Sequence, residues 1–247
     1  MTVFFVGAGP GAADLVTVRA LRLLEQAEVV VYAGALVPAE LLAACPTGAR
    51  LVDSALLDLD AIVSVLVASH QQGLDVVRLH SGDPSLFSAV AEQARRLDAA
   101  GVPWEIVPGV PAFAAAAAAL GRELTVPGVG QTVVLSRIAV DATPMPEGED
   151  LASLARTGAT LVLHLAVQHI DRVVGELTAS YGDDCPAAVV ARASRPDQVV
   201  LRGTLGTLAA QVHDANVRRT AVIIVGRVLG AEGFPDSHLY STDRCRT

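Results

Sequence analysis

The chain of 247 residues contains no lysine; all 18 of its basic residues are arginine. That excludes a Schiff-base lysine and the phosphate-gripping lysine of a Walker-type loop. A polycarboxylate ligand is not excluded, because arginine forks match carboxylates well. Cysteine is nearly as scarce. Cys45, Cys185 and Cys245 lie far apart with no Cys-x-x-Cys pair, which argues against a disulfide framework and a thiolate zinc site. A reducing, cytoplasmic setting is expected. Basic charge never gathers: the net charge is -8, and no run exceeds Arg95-Arg96 or Arg218-Arg219. A nucleic-acid binder carries a basic footprint, so nucleic acid is not an expected partner. Aromatic residues make up only 4%, so the core must be built from alanine, valine and leucine. The longest apolar tract, Ala112 to Leu120, is too short to span a bilayer. No basic stretch precedes the first apolar run, so neither a membrane span nor a signal peptide is expected.

What is present is an abundance of small apolar residues, 52% hydrophobic against 18% charged. That composition is far from disorder and suffices for one large or two small cores. Strand and helix signals alternate from the start. Strands are predicted at Thr2 to Val6, Glu28 to Tyr32, Asp75 to Leu79 and Trp104 to Val107. Between them fall a helix capped by Thr17, one capped by Asp58 or Asp60 with Ile62, Leu66 and Ser69 on one stripe, and one from Leu86 to Ala99. This rhythm implies a parallel sheet with helices on both faces. Beyond the turns at Pro108-Gly109 and Pro127-Gly128, strands are predicted at Thr132 to Leu135, Thr160 to Leu165, Ala187 to Ala191, Gln198 to Arg202 and Ala221 to Val225. Two of these adjoin without a helix around Pro196-Asp197, so a hairpin and a mixed sheet are expected there. Two α/β domains follow, 1–120 and 121–247, with the boundary between 110 and 128. The loop Val140 to Asp150 is expected to be exposed.

Three turns carry the chemistry. Gly7-x-Gly9-x-x-Ala12 matches the dinucleotide fingerprint as a pattern. Pro10 removes a donor from that loop, and Ala33-Gly34 stands where a ribose-binding acid belongs; both details argue for the other reading of the pattern, a tight strand-to-helix turn that binds nothing. Ser81-Gly82-Asp83-Pro84 stands at the carboxyl end of a predicted strand, where open α/β sheets bind ligands. It also reads as a helix start, with Asp83 as cap and Pro84 at the first position. Pro108-Gly109-Val110-Pro111 follows a third strand. Three such turns on one sheet edge argue for a cleft. His80, His164 and His169 lack metal-ligand spacing, and no metal is expected. No nucleophile elbow is present. Tyr32 and Arg137 each end a predicted strand, where they suit either a cleft wall or a packing role.

Taken in order, Val6-Gly7-Ala8-Gly9-Pro10-Gly11, Ser81-Gly82-Asp83-Pro84 and Val107-Pro108-Gly109-Val110 resemble the three signatures of the tetrapyrrole methylase family, over almost the whole chain. Val31 to Val37, Leu79 to Leu86, Gln131 to Arg137 and Thr143 to Glu149 are similar to its corrin-precursor branch. The resemblance implies two α/β domains, a homodimer, and S-adenosylmethionine held in a cleft between the domains and released as S-adenosylhomocysteine. It implies cofactor contacts at Pro10, Ser81, Gly82, Asp83 and Leu86, and at Pro111 and Ala112. Pro111 departs from the usual hydroxyl residue, and Leu165 replaces a frequent methionine. Ala193 and Ala221 match small residues near the adenine.

A sulfonium is an activated methyl donor and a reduced tetrapyrrole carbon is already nucleophilic. Positioning alone then supplies most of the acceleration, on the order of 7–11 kcal/mol. Beyond positioning, Asp83 and Arg137 are the catalytic candidates. Tyr32, Arg78 and Arg137 are the expected substrate contacts, the arginines at the cleft mouth facing substrate carboxylates. The rival readings are another methylase of the family, a nicotinamide-dependent oxidoreductase using the first glycine loop, and a non-catalytic binding subunit.

Overall fold

The apolar run Val3–Gly7 forms β1, and its lack of polar alternation has a simple cause: the strand is covered on both faces. The computed structural model describes residues 1–139 and 144–237, and the chain divides into two units, Met1–Ala115 and Ala116–Thr247. In the first unit β1 is followed by α1 (Val18–Leu24), β2 (Val29–Tyr32), α2 (Ala39–Leu42), β3 (Arg50–Asp53), α3 (Leu59–Gln71), β4 (Val76–His80), α4 (Val90–Ala99) and β5 (Trp104–Val107). The strands pair in the order β3-β2-β4-β1-β5, all parallel. One face packs Val3, Phe5, Val29, Val31 and Val76 with residues of α3 and α4. The other packs Val6, Val30, Val77 and Leu79 with residues of α1 and α2. Leu66, Leu79 and Leu97 are fully buried, each contributing about 1.5–3 kcal/mol.

The caps at Thr17 and Asp58 form as expected. Thr17 Oγ1 accepts from Ala20 N at 3.2 Å and Asp58 Oδ1 from Ala61 N at 2.8 Å. The third helix does not start at Leu86. Phe87 and Ala89 take left-handed backbone, with φ of 53° and 52°, and α4 begins only at Val90. The strand β3 is an addition that the pattern did not predict; it lies at the sheet edge with most of its residues exposed, so it carries no hydrophobic signal.

The helix α5 (Ala112–Leu120) leads into the second unit, which continues with β6 (Val133–Ser136), α6 (Leu151–Ala155), β7 (Thr160–Leu163), α7 (Ile170–Tyr181), β8 (Pro186–Ala191), β9 (Val199–Thr204), α8 (Leu205–Asp214) and β10 (Ala221–Val225). The order is β6-β7-β10-β8-β9. Only β6 and β7 run parallel; β10 is antiparallel to both neighbours, and β8 and β9 form the expected hairpin. The sheet is therefore mixed, as the adjoining strands implied. Its core gathers Leu151, Ile170, Val173, Leu177, Leu205 and Leu208 against Leu161, Leu163, Val189 and Ile223. Tyr181 satisfies its buried hydroxyl by donating to Ala159 O at 2.6 Å. Of the loop Val140 to Asp150, residues 140–143, Thr143 among them, lie outside the described residues; Pro144 to Asp150 are exposed or half-buried. Cys45 and Cys185 are free thiols, and Cys245 lies outside the described residues.

Candidate active site

In the first unit the three glycine turns meet at the carboxyl ends of β1, β4 and β5. Gly82 N donates to Gly9 O at 2.7 Å and Gly9 N to Gly82 O at 3.2 Å, a two-residue bridge between the first and second turns. Ala8 N donates to His80 O at 2.7 Å. The third turn closes on both. A Cβ added at Gly109 would lie 2.2 Å from Gly82 O, and one at Gly7 would lie 2.6 Å from Gly109 Cα. No side chain fits between these backbones, so glycine is required here by contact rather than by flexibility. Gly82, with φ of +68°, needs it for conformation as well.

Asp83 ties the corner together. Its Oδ2 accepts from Gly109 N at 2.8 Å, and its Oδ1 accepts from Ser85 N at 2.8 Å and from the Ser85 hydroxyl. It caps no helix, which corrects the helix-start alternative; the N-cap of α4 is Ala89. Partial burial works to raise its pKa, but the Ser85 hydroxyl, Gly109 N–H and Ser85 N–H outweigh it and hold the carboxyl below the usual range. The group is a carboxylate at neutral pH. Ser81, Gly82 and Leu86 stand on the same connection, and Pro10 follows Gly9. Pro111 and Ala112 adjoin Gly82, with Ala112 N and Pro111 Cα 3.7 and 3.8 Å from where its Cβ would be.

Arg78 is not an exposed arginine at the mouth of a cleft. It sits in the middle of β4, only 6% exposed. Its Nη1 donates to Val31 O at 3.2 Å and its Nε to Gln93 Oε1 at 3.2 Å. The reason is the strand's full cover: every residue of β4 is buried. Burial lowers its pKa to about 10, which leaves it charged. His80, 4% exposed, packs at a tilt against Phe5 with ring centroids 5.9 Å apart. Burial first, and then the Arg78 charge, lower its pKa to about 3. Tyr32 ends β2 half-buried among apolar neighbours, and its carbonyl accepts from Ser54. No cluster able to hold a metal ion occurs among the described residues.

One edge of the second unit's sheet is unusual in its own way. Leu165 after β7, Arg192 and Ser194 after β8, and Thr220 before β10 all take left-handed backbone, with φ from 49° to 65°. β10 lies between β7 and β8, and Arg192 N donates to Thr220 O at 2.8 Å, so these residues share one edge. Each non-glycine in that conformation costs of the order of 1–3 kcal/mol, and such strain concentrates at functional sites. Leu165 is 69% exposed there despite its apolar side chain, while Ala193 is buried and Ala221 opens β10. Arg137, just past β6, donates to Ile138 O at 3.0 Å and to Pro144 O at 3.2 Å.

Sequence reasoning missed Gln93, Ser85 and the strained residues around Ala193. Gln93 had a signal: it falls on the stripe Val90, Gln93, Ala94, Leu97 that α4 buries, where a polar side chain needs a partner. Left-handed threonine and arginine have none, because glycine is the residue that marks such backbone.

The geometry also removes the nicotinamide-dependent alternative. That reading needs the first glycine turn to open directly into a helix whose N-terminus meets the phosphates. Here a 3-10 turn, Ala13–Leu15, intervenes before α1, and β4 stands between β2 and β1, where the dinucleotide fold keeps them adjacent.

A backbone-lined corner on a parallel sheet in one unit and a mixed sheet in the other define a class of two-unit α/β proteins. The chain belongs to the tetrapyrrole (corrin/porphyrin) methylases, whose family model matches residues 2–209. It is 65% identical over 247 residues to the precorrin-4 C(11)-methyltransferase of Rhodococcus erythropolis, covering 100% of this chain and 99% of that one. The X-ray structure of a cobalt precorrin-4 methyltransferase matches with a TM-score of 0.89 at 39% identity, covering 92% of this chain and 95% of that one. The uroporphyrin-III C-methyltransferase of Thermus thermophilus, solved with S-adenosylhomocysteine, matches with a TM-score of 0.77 at 32% identity and 93% coverage of both chains.

Proposed function

We propose that this chain transfers the methyl group of S-adenosylmethionine to carbon 11 of precorrin-4, a step of cobalamin biosynthesis. The observation that carries this reading is the corner where Gly7 and Gly109 meet Gly82, closed too tightly for a Cβ at Gly7 or Gly109, in a chain so similar to a precorrin-4 methyltransferase along its full length. Identity to that enzyme is far higher than to the cobalt precorrin-4 enzyme of known structure, which favours the metal-free substrate.

The corner suits the cofactor physically at Gly82, whose absent Cβ has no neighbour nearer than 3.7 Å, because bare backbone at a strand end lets a nucleoside approach closely. When bound, the sulfonium supplies an activated methyl group. Pro10, Ser81, Gly82, Asp83, Leu86, Pro111 and Ala112 are assigned to hold the cofactor, with Leu165, Ala193 and Ala221 on the strained edge of the second sheet. Asp83 acts by keeping the second and third turns together; a carboxylate already accepting three hydrogen bonds is a poor acceptor for the proton that leaves the substrate. Tyr32 and Arg137 are assigned to the tetrapyrrole, Arg137 to one of its carboxylates. The chain works as a cytoplasmic homodimer in this reading, without nucleic acid or membrane; no helix among the described residues is long and apolar enough to cross a bilayer.

The test is incubation with methyl-labelled S-adenosylmethionine and precorrin-4, with the label located in the product by NMR. Label at carbon 11 is the expected result. Label at another carbon, or no transfer, would overturn the assignment, and sedimentation of a monomer would overturn the dimer.

A further inference from the structure

Arg78 is a buried cation that no carboxylate pairs with among the described residues. An arrangement of this kind is costly and needs a reason. Its two acceptors supply one. Nη1 grips Val31 O near the end of β2, and Nε grips Gln93 Oε1 on α4. With its oxygen held, the Gln93 carboxamide turns its nitrogen to Ala89 O at 3.1 Å. Ala89 is the left-handed residue that ends the connection from Ser81, and no side chain caps α4 there. Ser88 Oγ bonds back into the same connection, to Leu86 O and Asp83 O.

We propose that Arg78 and Gln93 are positioning residues for the cofactor-binding connection: a string from Val31 O through the guanidinium and carboxamide holds Ala89 in its left-handed conformation and so fixes where Ser81 to Leu86 stand. This rests on the reading of that connection as part of the S-adenosylmethionine site. Gln93 is the link that translates a strand-end anchor into loop position, because one side chain must accept from Arg78 and donate to Ala89 at once. Glutamate has almost the same shape, accepts from Arg78 better and cannot donate.

The substitution Gln93→Glu therefore separates positioning from stability. It gives the buried cation a carboxylate, so the melting temperature should not fall at neutral pH. It deletes the donor to Ala89, so the Kd for S-adenosylmethionine by calorimetry should rise about five- to tenfold, the worth of one hydrogen bond. Rate at saturating cofactor should stay within about twofold, and amide exchange should quicken across residues 85–89. Adding Ala89→Gly, which accepts φ of 52° without strain, should recover most of the affinity. A Kd for Gln93→Glu within twofold of the unaltered chain would overturn the proposal. So would a Gln93→Glu chain that binds weakly but gains nothing from Ala89→Gly. Absence of S-adenosylmethionine binding in the unaltered chain would instead overturn the cofactor reading, and this inference with it.

Discussion

Replacing Gly109 by alanine tests the glycine corner with a single methyl group. Gly109 does not occupy left-handed backbone, so alanine brings no conformational penalty of its own and the effect reports the contact alone. The new Cβ would lie 2.2 Å from Gly82 O and 2.8 Å from Gly7 Cα, against a practical minimum of 3.0 Å, and both neighbours are backbone. The corner must open. Gly82 O cannot retreat without disturbing the paired bonds to Gly9, and Gly109 cannot retreat without lengthening its 2.8 Å bond to Asp83. Weakening two of these bonds costs about 1–3 kcal/mol, and crowding a packed site costs about 1–3 kcal/mol. Partial relaxation keeps the expected loss near 2–4 kcal/mol in chemical denaturation. Calorimetry should show S-adenosylmethionine affinity reduced well over tenfold, since each 1.4 kcal/mol or so of misfit is a factor of ten. Gly48→Ala is the control: nothing lies within 4 Å of its added Cβ, so stability should change by less than about 0.5 kcal/mol. If Gly109→Ala unfolds and binds like Gly48→Ala, the corner is not the closed contact that the cofactor assignment depends on.

Asp83→Ala removes the acceptor for Gly109 N and Ser85 and should abolish S-adenosylmethionine binding; unchanged calorimetric binding would refute its role. His80 gives a pH signature. Its folded pKa is about 3 against 6.5 outside the fold, so below pH 6.5 the unfolded chain takes up a proton that the folded chain refuses. The stability this neutral histidine preserves is full above pH 6.5 and declines as pH falls toward 3. Denaturation of His80→Asn across that range should show a shallower decline than the unaltered chain, and an identical slope would count against the buried neutral ring. Tyr181→Phe, which loses the buried bond to Ala159 O, should cost about 1–2 kcal/mol in the second unit with no change in cofactor affinity. A change in affinity would mean that this core residue reaches the site.

Much of this arrangement was legible in the residues because one physical rule wrote both. The alternation of valine runs with capped helices specified the parallel sheet, and Thr17 and Asp58 formed the caps their side chains suit. The three glycine turns were visible as turns, and following different parallel strands already placed them on one edge. What the pattern could not supply was contact. Nothing in the string of letters says that Gly109 touches Gly82 O rather than serving a turn of its own; that follows from β1 lying between β4 and β5. The same limit explains Arg78. An arginine two residues before a strand end suits a cleft mouth by position, and only the cover on both faces of β4 turns it inward.

The edge strand β3 and the left-handed residues were illegible for opposite reasons. Arg50–Asp53 is exposed, so burial left no mark on its composition. Arg192, Ser194 and Thr220 are in a conformation their chemistry disfavours, so propensity pointed away from the truth. Strain of that kind persists only where the surroundings insist on it. Four such residues crowd one edge of the second sheet, beside Ala193 and Ala221, while the first unit concentrates its own two, Phe87 and Ala89, on the connection that carries Asp83. Apart from Asn216, which follows α8, the left-handed non-glycine residues fall on connections that carry residues assigned to the cofactor. Relieving one edge residue, Thr220→Gly, should therefore raise stability by about 1 kcal/mol while weakening S-adenosylmethionine binding. A variant that gains stability and binds as before would show that the strain serves no ligand.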